Sequence, residues 1–123
     1  MWCIEFDPKT RALTIWVAQL VSAASLRILQ RKHSEALAAT AGEPFKVLLD
    51  MRGVAPIGPD SATVLSEIKR AESALSTFRG RAVLCDSATV AMQQRRTSLD
   101  DGTGEREVVT LEEIEAQAYI RLP

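Results

Sequence analysis

Phe45-Lys46-Val47-Leu48-Leu49-Asp50-Met51-Arg52-Gly53-Val54-Ala55-Pro56-Ile57-Gly58-Pro59-Asp60-Ser61 is the stretch on which the fold of this chain turns. Lys46–Leu49 is a compact apolar run, short enough for a strand and consistent with burial on both faces. Asp50 closes it. Met51–Pro59 then holds two glycines and two prolines, which argues against a helix or a long strand there. Asp60 or Ser61 is expected to cap a helix whose apolar stripe is Leu65, Ile68, Leu75 and Phe78, with Gly80 as its stop. Strand, stiff turn and capped helix make one unit of a parallel sheet.

Upstream, Trp2, Ile4 and Phe6 alternate with Cys3 and Glu5, and Leu13, Ile15 and Val17 alternate again after the turn Asp7-Pro8-Lys9-Thr10. Period-two alternation on both sides of turn chemistry predicts an antiparallel hairpin over 2–6 and 12–17. From Ser22, a helix N-cap, Leu26, Leu29, His33 and Leu37 recur at helical spacing until Gly42 and Pro44. Downstream, Ala82–Cys85 reads as a second buried strand ending at Asp86, and Ser87 caps a helix through about Arg96. Asp100–Gly104 reads as a polar loop, and Val108-Val109 as a brief strand. Thr110 and Glu113 fit a capping box for a last helix buried through Leu111, Ile114, Ala118 and Leu122. The order β-β-α-β-α-β-α-β-α predicts a single α/β domain over 1–123, with a mixed, mostly parallel sheet.

Composition restricts function more than it names it. The 123 residues carry 15 basic and 16 acidic side chains, so no overall charge draws the chain to nucleic acid or anionic lipid. The longest uncharged stretch, Ala12–Leu26, is broken by Thr14, Gln19, Ser22 and Ser25 and falls short of the ~20 residues of a membrane span. No basic segment precedes an apolar run, so a secretory signal is not expected and the cytoplasm is. Cys3 and Cys85 sit in apolar stretches without metal-ligand spacing and read as two reduced, buried thiols.

No catalytic constellation stands out. Asp50 and Asp86 end neighbouring strands, where open α/β sheets bind ligands, and together would suit Mg²⁺ or phosphoryl handling. Neither has the acidic doublet such sites use, and turn or helix capping explains both. His33 is the only histidine and shares the stripe of Leu26 and Leu29, which fits a hydrogen-bonded structural role. Arg95-Arg96, with Arg79 and Arg81, reads as a solvated basic face lacking aromatic neighbours for stacking. Gly102-Thr103-Gly104 lacks the lysine and helix of a phosphate loop. No metal and no cofactor is expected.

Val47–Val54 followed by Ile57-Gly58-Pro59-Asp60-Ser61-Ala62 resembles the signature segment of STAS-superfamily domains, the bacterial anti-sigma-factor antagonists of the SpoIIAA type. The motif similarity covers about residues 46–65; the rest is similarity of architecture. The resemblance implies a non-enzymatic regulatory module that binds a protein, kinase-like or another regulator, through the loop opening the second helix. The partner-binding residues it implies are Arg52, Gly58, Pro59, Asp60 and Ser61. The family's aspartate falls on Gly58, its serine on Pro59 and its usual phospho-acceptor on Asp60. The resemblance thus implies a module without the usual phosphoserine switch, Ser61 taking that role only with a loop one residue longer. Two other classes remain beside it: a Mg²⁺-dependent phosphoryl-handling enzyme using Asp50 and Asp86, and a module for a small apolar ligand or lipid. The edge left by the hairpin, with Trp2 and Trp16 near it, is also open to self-association.

Overall fold

The computed structural model describes residues 1–19 and 21–122. The hairpin is present as β1 (Trp2–Asp7) and β2 (Ala12–Val17), followed by α1 (Ala23–Ala39), β3 (Phe45–Asp50), α2 (Pro59–Ser73), β4 (Phe78–Leu84), α3 (Ala88–Asp101), β5 (Glu107–Thr110) and α4 (Glu113–Tyr119). The sheet order is β1-β2-β3-β4-β5, antiparallel between β1 and β2 and parallel elsewhere. This is the α/β architecture expected from the periodicities.

Parallel crossovers are right-handed, and β2 to β5 are added in one direction, so their connecting helices fall on one face. Leu13, Ile15 and Val17 of β2 meet Leu26 and Leu29 of α1, Val64, Leu65 and Ile68 of α2 and Val90 and Ala91 of α3 in the main core. Among the described residues the opposite face has only α4, which covers Ala12, Leu48, Ala82 and Leu84 with Ala116 and Ile120. Lys46 fastens that helix, its Nζ donating to Tyr119 O at 2.6 Å and lying 4.7 Å from the Tyr119 ring centre.

Several local expectations are corrected. Neither Asp60 nor Ser61 caps α2; Gly58 is the N-cap and Pro59 the first helical residue, where a missing N–H costs nothing. Gly80 stops no helix. It lies inside β4 at φ +144, where β4 has one residue more than β3 between Phe45↔Phe78 and Val47↔Arg81, and a Cβ there would stand 2.9 Å from Tyr119 Oη. Phe78 thus belongs to β4, and Leu75 is partly exposed. α3 continues through Asp100 and Asp101 because Gly102, in the left-handed region, supplies its C-terminal turn. The Thr110–Glu113 capping box does not form: Thr110 Oγ1 accepts from Glu112 N and donates to Glu115 Oε2. Leu111, Ile114 and Ala118 are exposed, because α4 touches the sheet through Ala116, Tyr119 and Ile120. Cys3 is exposed and Cys85 buried, both as free thiols, and burial pushes the Cys85 thiol up to about 11.

Candidate functional site

The loop from Asp50 to Ser61 lies at the carboxyl ends of the strands, where such sheets usually meet ligands and partners. It begins with a ring of charge. Asp50 Oδ1 accepts from Arg52 N and Nε, both at 3.1 Å, and Oδ2 from Nη2 at 2.8 Å. The hydrogen bonds to Asp50 are the main reason the Arg52 guanidinium is held above its ordinary pKa, against a smaller opposing effect of burial. The same Nη2 reaches Glu113 Oε1 at 3.4 Å, so Arg52 spans from the β3 exit to α4.

Gly53 follows at φ +82, a conformation that costs most other residues about 1–2 kcal/mol. It is held from both sides. Its N–H donates to Asp86 Oδ2 at 2.9 Å, and its carbonyl accepts from Gln19 N at 3.1 Å. Val54 is buried and forms a bridge to Gln19. Farther along, the Gln93 side chain of α3 grips Ile57 at both backbone groups: Ile57 N donates to Oε1 (3.2 Å) and Nε2 donates to Ile57 O (2.8 Å). Between and beyond these anchors, Ala55-Pro56 and Gly58-Pro59-Asp60 face solvent.

Of the expected contact residues, Arg52, Gly58, Pro59 and Asp60 are each exposed, Arg52 turning toward α4 and the other three opening α2. Ser61 differs. It is buried, and its hydroxyl donates to Val21 O at 3.0 Å, fastening the start of α2 to the chain before α1. The two aspartates weighed as a cation or phosphoryl site both bond within this loop, Asp50 to Arg52 and Asp86 to Gly53. Among the described residues no group of three or more His, Cys, Asp or Glu side chains is placed to hold a metal ion. None of their helices is long and apolar enough to cross a membrane.

A second polar assembly, at the amino ends of β4 and β5, escaped the sequence reading. Arg81, expected on a solvated basic face, is completely buried. It makes five contacts with its five donors: Nε to Glu72 Oε1 (2.7 Å), Nη1 to Glu107 Oε2 (2.7 Å) and Thr103 O (3.2 Å), and Nη2 to Lys69 O (3.0 Å) and Ser73 Oγ (3.1 Å). Lys69 Nζ donates to Gln94 Oε1 and Ser98 Oγ and lies 3.3 Å from Glu107. His33 Nε2 donates to Glu72 Oε2 at 2.7 Å, as its place on the stripe of α1 suggested. Burial alone would raise the Glu72 pKa; the charge of Arg81 and the His33 contact outweigh it and hold the carboxyl below its usual range. Burial pushes Lys69 down against the pull of Glu107. With their donors used internally, Lys69 and Arg81 have no N–H left for a substrate, and the assembly is a structural core.

A signal for it existed. Leu65, Ile68, Lys69 and Glu72 follow the i, i+3, i+4, i+7 spacing of a buried face, so two charged residues occupy positions that demand partners. On the α4 side of the sheet, an open trough of about 410 Å³ is lined by Thr14, Trp16, Leu48, Asp50, Glu5 and Glu113, among others. Its carboxylates suit an apolar ligand poorly. A scan against models of known protein families matches none, and no curated protein matches the chain.

Proposed function

We propose that this chain is a non-catalytic protein-interaction or regulatory module of the anti-sigma-factor-antagonist kind, contacting a cytoplasmic protein partner through Arg52, Gly58, Pro59 and Asp60. The observation that carries this reading is the construction of one loop. An exposed crest is anchored at Gly53, Ile57 and Ser61 by bonds to three other segments of the chain. A surface held in shape before contact loses little conformational freedom on binding. Asp60, in the first turn of α2, adds a fixed negative charge to it. The contact works without a phosphoserine switch: Pro59 and Asp60 stand where the resembled family has serines, and the Ser61 hydroxyl faces inward.

The test is affinity capture from native lysate, with retained proteins identified by mass spectrometry. Wild type should hold a partner that Asp60→Lys loses and Ser61→Ala keeps. A partner retained equally by wild type and Asp60→Lys would remove the loop from the proposal.

A further inference from the structure

β1 is an edge strand whose free side is unusually regular. It pairs only with β2, from Trp2↔Val17 to Asp7↔Ala12, without a bulge. Met1 and Ala18, in the same register, exchange both backbone hydrogen bonds, at 3.0 and 3.4 Å. Antiparallel ladders alternate, so Cys3, Glu5 and Asp7 bond to β2 while the N–H and C=O of Trp2, Ile4 and Phe6 point off the sheet. Edges are usually blunted by Lys, Pro, a bulge or a charge on the core-facing side. β1 has no Lys, Pro, bulge or core-facing charge; its two charges, Glu5 and Asp7, stand on the opposite face from Trp2, Ile4 and Phe6. The other edge is guarded: β5 is only four residues long, and Arg95 of α3 covers its Val109 carbonyl at 2.9 Å.

We propose that two copies of this chain pair their β1 strands antiparallel about a two-fold axis through Ile4, joining the two five-stranded sheets into one. The register follows from the residues. Outward backbone groups must meet outward groups, which allows an axis at Cys3, Ile4 or Glu5. Only the axis at Ile4 uses Trp2, Ile4 and Phe6 of both copies. An axis at Cys3 leaves Phe6 unpaired, and one at Glu5 leaves Trp2 unpaired and sets the two Glu5 carboxylates against each other. With the axis at Ile4, Trp2 faces Phe6 of the second copy and Ile4 faces Ile4 on the apolar side; Cys3 faces Glu5 on the other. Trp2, Ile4 and Phe6 are only half-buried in one copy and retain apolar surface to cover. A second copy would lie beside α1, which packs against β1. Arg27 of α1 reaches Glu67 of α2, so helical spacing places Ser25, Lys32 and Ala36 on the flank turned away from α2, two of them small.

Sedimentation velocity over a wide concentration range tests the association. Wild type should sediment at twice its 13.5 kDa mass, and Ile4→Pro, which removes an outward N–H but no hydrogen bond to β2, should weaken the dimer by about tenfold or more. Disulfide trapping tests the register independently of that variant's folding. Cys3 and residue 5 of the second copy would be a non-hydrogen-bonded pair with Cα atoms about 4.5 Å apart, within disulfide range. Glu5→Cys should therefore cross-link under mild oxidation, whereas wild type and the Cys3→Ser/Glu5→Cys double variant should not. A monomer at every concentration, a folded Ile4→Pro that still dimerises as wild type does, or cross-linking in either control overturns the proposal.

Discussion

The two ends of the sheet use charged residues in opposite ways. At the carboxyl ends, Asp50, Arg52 and Asp86 hold a loop in shape while leaving its crest in water. At the amino ends, Glu72, Lys69, Arg81 and Glu107 are withdrawn from water and spend their bonds on one another. The first arrangement is open to a partner; the second has nothing left to give one. Perturbed ionisation alone would have pointed to the buried assembly as the site. Counting donors against acceptors points to the loop.

The comparison breaks most sharply at Glu72. Glu72→Gln leaves Arg81 and Lys69 sharing one carboxylate inside the protein, and should cost roughly 3–5 kcal/mol in urea denaturation without changing what the loop captures. Acid should act through the same residue. Because the folded Glu72 carboxyl is held below its ordinary range, its contribution is fully present at pH above that range and is lost as pH falls through the lowered folded value. Stability measured against pH should show this loss in wild type and a shallower one in Glu72→Gln.

At the other end the effects are smaller and change sides, from stability to binding. Gly53→Ala meets no atom within 4 Å, so backbone strain alone should cost about 1–2 kcal/mol, together with partner capture. Gln93→Ala releases Ile57 at both backbone groups. It should cost about 1 kcal/mol and speed amide exchange at Ile57; unchanged exchange would show that the clamp does not stiffen the crest. Asp60→Lys should move stability least, by about 0.3–1 kcal/mol from the helix dipole, while abolishing capture. If Glu72→Gln removed the partner and Asp60→Lys did not, the assignment of the two ends would be reversed.

Much of this was legible locally. Alternation at Trp2-Ile4-Phe6 and Leu13-Ile15-Val17 marked the hairpin, and Ser22 and Ser87 cap their helices as expected, accepting from Ser25 N and Val90 N. Ends governed by more than one turn were less legible. Leu111 and Ile114 looked like a buried stripe, but α4 is short and meets the sheet through Ala116 and Ile120. Gly80 looked like a helix stop, yet its conformation serves a bulge in β4.

By itself, then, the sequence determined the class of fold and the stiffness of the loop after β3, because periodicity, proline and glycine act within a few residues. Only the tertiary structure decided which charges belong to that loop. Arg81, Lys69, Glu72 and Glu107 are brought together from two strands and a helix, and Gln93 finds Ile57 from 36 residues away. Whether a polar group is free or already satisfied depends on neighbours distant in the chain, and that is what the tertiary structure alone decides.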